Sequence, residues 1–114
     1  LWAATMRRPT RLIGLTMQRE LLYARIDARV DATLVAGAEE EVRRAAAAGA
    51  SPTARKALGF QELLAGDVEQ MKRRTRNYAR RQLTWMRKLA DVIELDTSGR
   101  SAAAVAAEIA AGWR

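Results

Sequence analysis

Apolar residues recur every three or four positions through most of this chain, a spacing typical of amphipathic helices. Two short apolar runs, RLIGL and VIEL, break that spacing and predict strands. Helix starts are indicated by Thr16, Ser51 before Pro52, Asp67 and Ser101, whose oxygens can accept from a first turn. The pattern therefore predicts strands over about 11–15 and 92–95, and helices over 17–36, 38–48, 52–65, 67–89 and 101–112.

Two strands separated by a long helical stretch predict a mixed α/β fold. A sheet of only two short strands is marginal in isolation, so we expect these strands to belong to a larger sheet whose remainder is missing from this chain. A small helical bundle in which neither run is a strand stays open as the alternative.

The helix over 67–89 is amphipathic and strongly basic. Its apolar stripe is predicted to hold Tyr78 and to have Trp85 packed at its border. Eight cations and no acid lie between 72 and 88: Lys72, Arg73, Arg74, Arg76, Arg80, Arg81, Arg87 and Lys88. A merely solvated face usually interleaves Glu with Lys for pairing, and this one does not. Arginine also suits two-point contacts with phosphate, so nucleic acid is favoured over a solvated face, with a membrane surface third.

The amino-acid composition limits the kinds of catalytic and metal site that this chain can form. The chain has 114 residues and a net charge of +7, with 20 Lys and Arg against 13 Asp and Glu. It has no His and no Cys, which excludes zinc knuckles, cysteine nucleophiles, imidazole bases and disulfides. No apolar run approaches the ~18 residues that span a bilayer, so no membrane partner is expected. The lack of Cys and of a targeting signal fits the cytoplasm, and the opening without Met suggests a fragment.

Arg29 is predicted to lie in an unusual position for a cation on the helix over 17–36. The apolar residues Leu22, Ile26, Val30 and Leu34 advance along this helix by fours, and Arg29 is predicted to lie inside their arc. Asp27 and Asp31 fall nearly opposite, so neither is placed to neutralise it. Snorkelling of the guanidinium to water is the ordinary explanation for such an arginine.

Several segments together resemble one enzyme family. Residues 72–87, KRRTRNYARRQLTWMR, resemble the K-x-x-T-R-x-Y-A-K-R-Q-x-T-W-x-R signature of tRNA dimethylallyltransferases. LLYARIDARVD at 21–31, GAEEEV at 37–42 and KALGFQEL at 56–63 resemble further stretches of that family in the same order. The resemblance covers about residues 8 to 97.

The resemblance implies transfer of a dimethylallyl group from its diphosphate to N6 of adenosine 37, beside the tRNA anticodon, with Mg²⁺. It also implies a P-loop-like nucleotide-binding core, of which residues 1–114 would be the carboxyl-terminal fragment. The family's phosphate loop and catalytic Asp are not in this sequence. We therefore expect this fragment to be inactive alone and the full-length protein to be a monomer. The alternatives are a stand-alone basic RNA-binding module and a purely structural helical domain.

The resemblance also assigns site residues. It places the diphosphate contact on Arg29, which reverses the preference for snorkelling, and it implies no metal ligand in this chain. Contacts with the tRNA anticodon stem-loop fall on Lys56, Ala57, Leu58, Gly59, Phe60, Gln61, Arg76, Arg80, Arg81, Gln82, Thr84 and Arg87. Phe60 replaces a common Tyr, and Gln61 stands where relatives have Lys or Arg, which puts a cationic or hydroxyl contact from these two positions in doubt.

Overall fold

The computed structural model describes residues 8–112. Two strands and six helices follow one another along this part of the chain. In chain order they are β1 (Leu12–Thr16), α1 (Arg19–Val35), α2 (Ala38–Ala47), α3 (Pro52–Arg55), α4 (Phe60–Ala65), α5 (Val68–Lys88), β2 (Val92–Asp96) and α6 (Ala102–Ala111).

The two strands pair with each other in parallel, with Leu12 opposite Val92 and Thr16 opposite Asp96. A parallel pair requires a crossover connection, and here that connection comprises helices α1 to α5. The α/β prediction is confirmed, and the helical-bundle alternative is wrong. Within the described residues this sheet has two strands.

Side-chain caps fix three helix starts where the sequence predicted them. Ser51 Oγ accepts from the Ala54 amide at 3.1 Å, and Ser101 Oγ accepts from the Ala104 amide at 3.1 Å. Asp67 accepts from the Gln70 amide at 3.1 Å at the start of α5. Each bond satisfies an amide that lacks a partner inside the helix.

The prediction that Thr16 caps α1 is wrong, because β1 extends through this residue. Its carbonyl accepts from the Thr97 amide at 2.8 Å, so the chain is still extended at this point. The Gln18 amide instead donates to Ser98 Oγ at 2.8 Å, and α1 begins at Arg19. A hydroxyl 80 positions along the chain has taken the role expected of the local threonine.

The single helix predicted over 52–65 is wrong, because residues 56–59 form a turn between α3 and α4. Gly59 has φ +93°, which is left-handed backbone that favours glycine. A Cβ at this position would also lie 2.9 Å from Met71 Cε, so glycine lets α5 approach the turn closely.

The described residues form two compact units. One holds residues 8–21 and 83–112, where Gly14 of β1 and Val105 of α6 are buried. The other holds residues 22–82, with a small core that includes Val30, Phe60 and Leu63. The modest core agrees with a composition rich in Ala and poor in aromatic residues.

Candidate nucleic-acid interface

Two ion pairs join α1 to α5 within the 22–82 unit. Arg76 donates through Nη1 to both Asp27 oxygens, at 3.0 and 3.2 Å, and Lys72 Nζ lies 2.9 Å from an Asp31 oxygen. From the first pair to the second, the residue on α1 moves one turn forward along the chain and the residue on α5 moves one turn back. These segments of α1 and α5 therefore run antiparallel. The hydrogen bond to Asp31 raises the pKa of Lys72 above its ordinary value of 10.5.

The predicted apolar arc of α1 lies on the inner side of the helix, since Val30 is buried and Leu22, Ile26 and Leu34 are half-buried. On α1 the half-buried positions include Tyr23, Ile26 and Asp27, around the buried Val30, while Leu21 is 42% exposed. On α5, Lys72 and Arg76 lie on the half-buried side, while Tyr78 and Gln82 are exposed. Apolar periodicity alone missed three charged members of these half-buried faces, which are Asp27, Lys72 and Arg76.

The structure corrects the predicted position of Arg29. Its side chain is exposed rather than directed into an apolar interior. It makes no hydrogen bond or ion pair with any residue in 8–112, since Asp27 and Asp31 are both occupied by α5. The 22–82 unit thus presents an accessible guanidinium with its donors available.

A basic depression of about 500 Å³ lies beside the turn at 56–59. Its described lining residues include three cations and no acid. They are Pro52, Arg55, Lys56, Ala57, Gln61 and Arg74. We name this feature the basic depression. Three cations without an acid around one concave surface favour an anionic occupant such as phosphate.

Local contacts hold two of these arginines in place. Arg55 donates to the carbonyl of Ala46 in the last turn of α2 at 3.3 Å and to the carbonyl of Ala50, just beyond that helix, at 3.2 Å. Its guanidinium lies 5.7 Å from the Phe60 ring centre. Arg74 pairs through Nη1 with Oε1 of the buried Glu62. The depression is therefore built on positioned arginines as well as the exposed Lys56.

A second depression, of about 520 Å³, lies at the carboxyl ends of β1 and β2, within the other unit. Arg87, Glu94 and Asp96 contribute its charges. Asp96 accepts from Ser98 Oγ at 2.6 Å and from the Ser98 amide at 2.9 Å, and these bonds lower the pKa of Asp96 below its ordinary value of 3.8. Two of the three charges of this second depression are carboxylates, which repel phosphate.

The predicted packing of Trp85 is wrong in the described structure, where its side chain is 58% exposed. Lys88 Nζ lies 5.6 Å from its ring centre. Tyr78 is also exposed, with the Arg81 guanidinium 5.9 Å from its ring. Both rings carry a cation near one face, as is common for aromatic residues at the surface.

Comparison of the sequence with models of protein families identifies the family of this chain. Residues 3–89 match the model described as IPP transferase, which is well over half of the chain. The chain belongs to the IPP transferase family.

Individual relatives agree with this membership. The chain is 42% identical over 91 residues to the tRNA dimethylallyltransferase of Shouchella clausii, covering 72% of this chain and 29% of the relative. It is 45% identical over 92 residues to the enzyme of the same name from Acetivibrio thermocellus, covering 71% and 29%. The chain therefore spans under a third of the length of these relatives.

A solved structure shares the fold. The tRNA isopentenylpyrophosphate transferase of Bacillus halodurans superposes with a TM-score of 0.80 at 33% identity, over 90% of this chain and 38% of that one. The enzyme of Staphylococcus epidermidis superposes with a TM-score of 0.78 at 36% identity, over 89% and 36%. A stand-alone RNA-binding module is not favoured, because the relatives of this IPP transferase family member are named as transferases.

The structure brings together only part of the tRNA-contacting set that the family resemblance predicts. Lys56, Ala57 and Gln61 line the basic depression. Gly59 and Phe60 are buried, so their contribution is to shape the turn.

The remaining predicted residues lie elsewhere. Leu58 is exposed in the same turn. Arg80 donates to Asn77 Oδ1 at 3.1 Å, Arg76 is held by Asp27, and Arg87 lines the second depression. Arg81, Gln82 and Thr84 are exposed on α5.

Sequence reasoning missed Arg55 and Arg74 as members of the basic depression. Arg74 was visible in the basic run of α5, and Arg55 precedes Lys56 directly. Their meeting depends on the turn at 56–59, which the single predicted helix left out. A break at Gly59 was the signal that could have found it.

The described residues do not fit a metal site. Across 8–112 no three acidic side chains converge closely enough to hold an ion. The Mg²⁺ that the family resemblance implies is therefore not assigned to ligands here. In the same range no helix is long and apolar enough to cross a bilayer.

Proposed function

We propose that this chain contributes to a tRNA dimethylallyltransferase, in which its basic depression holds the anticodon stem-loop of tRNA and Arg29 contacts the diphosphate of dimethylallyl diphosphate. The observation that carries the proposal is the basic depression. Lys56 and Gln61, which the family resemblance assigns to tRNA, lie there beside Arg55 and Arg74, with no acid among its described lining residues.

The reaction proposed is transfer of a dimethylallyl group to N6 of adenosine 37. N6 forms a bond to the allylic C1, the bond from C1 to the bridging oxygen breaks, diphosphate departs with the electron pair, and N6 loses a proton. Negative charge grows on the departing oxygen. A guanidinium beside that oxygen stabilises the transition state more than the bound substrate.

Arg29 suits this contact because its donors are not committed elsewhere in the described chain. A leaving diphosphate offers several oxygens to a planar donor fork. Mg²⁺ belongs to the proposal on the family resemblance, as do a monomeric state, a cytoplasmic location and inactivity of this chain alone.

The direct test supplies the complete gene product with labelled dimethylallyl diphosphate and unmodified tRNA, and locates the label in the tRNA. Label on adenosine 37 is the expected result. A complete, folded protein that binds tRNA and transfers no label would overturn the transferase assignment.

Arg29→Ala is expected to lower kcat by roughly 10²- to 10³-fold, the range for removing one electrostatic donor at a developing charge. The Kd for tRNA should stay unchanged. Arg25→Ala, one turn earlier on α1 and also exposed, is the matched control and should keep its kcat. Equal kcat in wild type and Arg29→Ala would refute the diphosphate contact and leave Arg29 as a surface residue that snorkels to water.

A further inference from the structure

Glu62 of α4 is the one acidic residue among the buried residues of the described chain, with 6% of its surface exposed. Its Oε1 accepts from Arg74 Nη1. Its Oε2 has no hydrogen-bond partner within residues 8–112. A buried carboxylate with an unpartnered oxygen is costly, so this arrangement calls for an explanation.

Arg74 has two different surroundings. Nη1 meets the buried carboxylate, while the side chain is 46% exposed and lines the basic depression. A guanidinium carries five N–H donors in a rigid plane. Within the described chain its hydrogen bond to Glu62 uses Nη1 alone, which leaves donors for a second anion.

From charge alone, an acidic residue beside the basic depression is unexpected. A carboxylate close to a phosphate site repels the phosphate and weakens its binding. A carboxylate that fixes the direction of the arginine fork has the opposite effect, because an oriented guanidinium loses less side-chain entropy when phosphate arrives. Removing the charge of Glu62 should therefore strengthen phosphate binding if repulsion dominates, and weaken it if orientation of Arg74 dominates.

We propose that Glu62 is a positioning residue that acts through Arg74, holding its guanidinium so that the remaining donors bind one phosphodiester group of tRNA in the basic depression. This inference rests on the proposed function, since it takes tRNA as the ligand. It adds a role to two residues, Glu62 and Arg74, that the family resemblance did not place in the site.

The test measures tRNA affinity of the complete gene product across a salt series for wild type, Glu62→Gln, Arg74→Gln and the double variant. Arg44→Gln is the control, because it removes an exposed arginine of the same unit that does not line the depression. Thermal unfolding of each variant is followed in parallel.

Arg74→Gln should weaken binding roughly tenfold and make the slope of log affinity against log salt shallower by about 0.7 to 0.9, the value of one phosphate contact. Glu62→Gln should also weaken binding and flatten the slope. In the Arg74→Gln background, Glu62→Gln should have no further effect, because the residue through which it acts is gone. Arg44→Gln should bind as wild type does.

Tighter or unchanged binding by Glu62→Gln would overturn the proposal in favour of simple repulsion. An equal loss of affinity in the Arg74→Gln background would also overturn it, since Glu62 would then act independently of Arg74.

Where Glu62→Gln fails to fold, Arg74→Lys decides the question. It keeps the charge but loses the fork that meets two anions. Weaker binding with a shallower slope supports the proposal, and wild-type affinity and slope overturn it. Failure of wild type to bind tRNA at low salt would instead refute the proposed function.

Discussion

Replacing Arg76 by Ala tests whether this arginine holds the structure together or contacts tRNA. The family resemblance places it among tRNA-contacting residues, but the structure gives it two intramolecular partners. Its Nη1 donates to both Asp27 oxygens at 3.0 and 3.2 Å, and its guanidinium lies 5.9 Å from the Tyr23 ring. About a third of each charged side chain is exposed, 30% for Arg76 and 34% for Asp27.

The expected cost follows from these contacts. Exposed ion pairs contribute about 0.2 to 1 kcal/mol, and breaking buried pairs costs about 3 to 5 kcal/mol, so a pair with this exposure should contribute about 1 kcal/mol. The ring contact adds about 0.5 to 1 kcal/mol. Together with the stranded Asp27 carboxylate, Arg76→Ala should lower the free energy of unfolding by about 2 kcal/mol.

Urea unfolding of wild type, Asp27→Asn, Arg76→Gln and the double variant should give a coupling of about 1 kcal/mol between the two side chains. The salt slope of tRNA binding should be unchanged in Arg76→Ala, because Asp27 already neutralises this charge. Lys56→Gln, in the basic depression, should flatten the slope by about 0.7 to 0.9. A flattened slope in Arg76→Ala together with wild-type stability would refute this reasoning and restore Arg76 to the tRNA contacts.

Three further substitutions follow from local geometry. Gly14→Ala would place a Cβ in overlap with Met86 Sδ, and the overpacking cost of about 1 to 3 kcal/mol should exceed the gain of about 0.5 to 1 kcal/mol from removing a glycine. Urea unfolding should show a smaller cost in a Met86→Ala background, and a full cost there would contradict the overlap. Ser98→Ala should raise the Asp96 pKa toward 3.8 in a carboxylate NMR titration, because the hydroxyl bond that lowers it is lost. Since the lowered pKa stabilises the fold above pH 3.8 and this contribution disappears as pH falls through the folded value, wild type should lose more stability than Ser98→Ala on acidification. Trp85→Ala should change the free energy of unfolding by less than about 0.5 kcal/mol, as for an exposed position, and a cost near 3 kcal/mol would show burial instead.

Much of the secondary structure could be predicted because its signals are local. A hydroxyl or carboxylate at Ser51, Asp67 or Ser101 reaches an amide three residues ahead, so the cap needs no distant partner. Both strands were likewise found in short apolar runs, within a residue of their observed bounds. The family resemblance arose from the same linear information.

The apolar arc of α1 could be predicted from the sequence, but the charged residues that lie beside it could not. Apolar periodicity ranks charged residues as outward, whereas Asp27 and Arg76 satisfy each other across 49 positions and so occupy the half-buried side. Arg29, which the same periodicity placed inside the apolar arc, is exposed. The apolar pattern of one helix carries no information about where a charged residue on another helix will lie.

The candidate site depended on tertiary structure for the same reason. Lys56 and Gln61 could be selected from the sequence, but the basic depression also needs Arg55 and Arg74, and these residues meet only because the chain turns at 56–59. Gly59 permits this turn by adopting φ +93° and leaving room for Met71 of α5. The sequence by itself determined which cations were available, and the packing of α5 against this turn decided which of them share one surface, because electrostatic attraction for a phosphate depends on distance in space rather than along the chain.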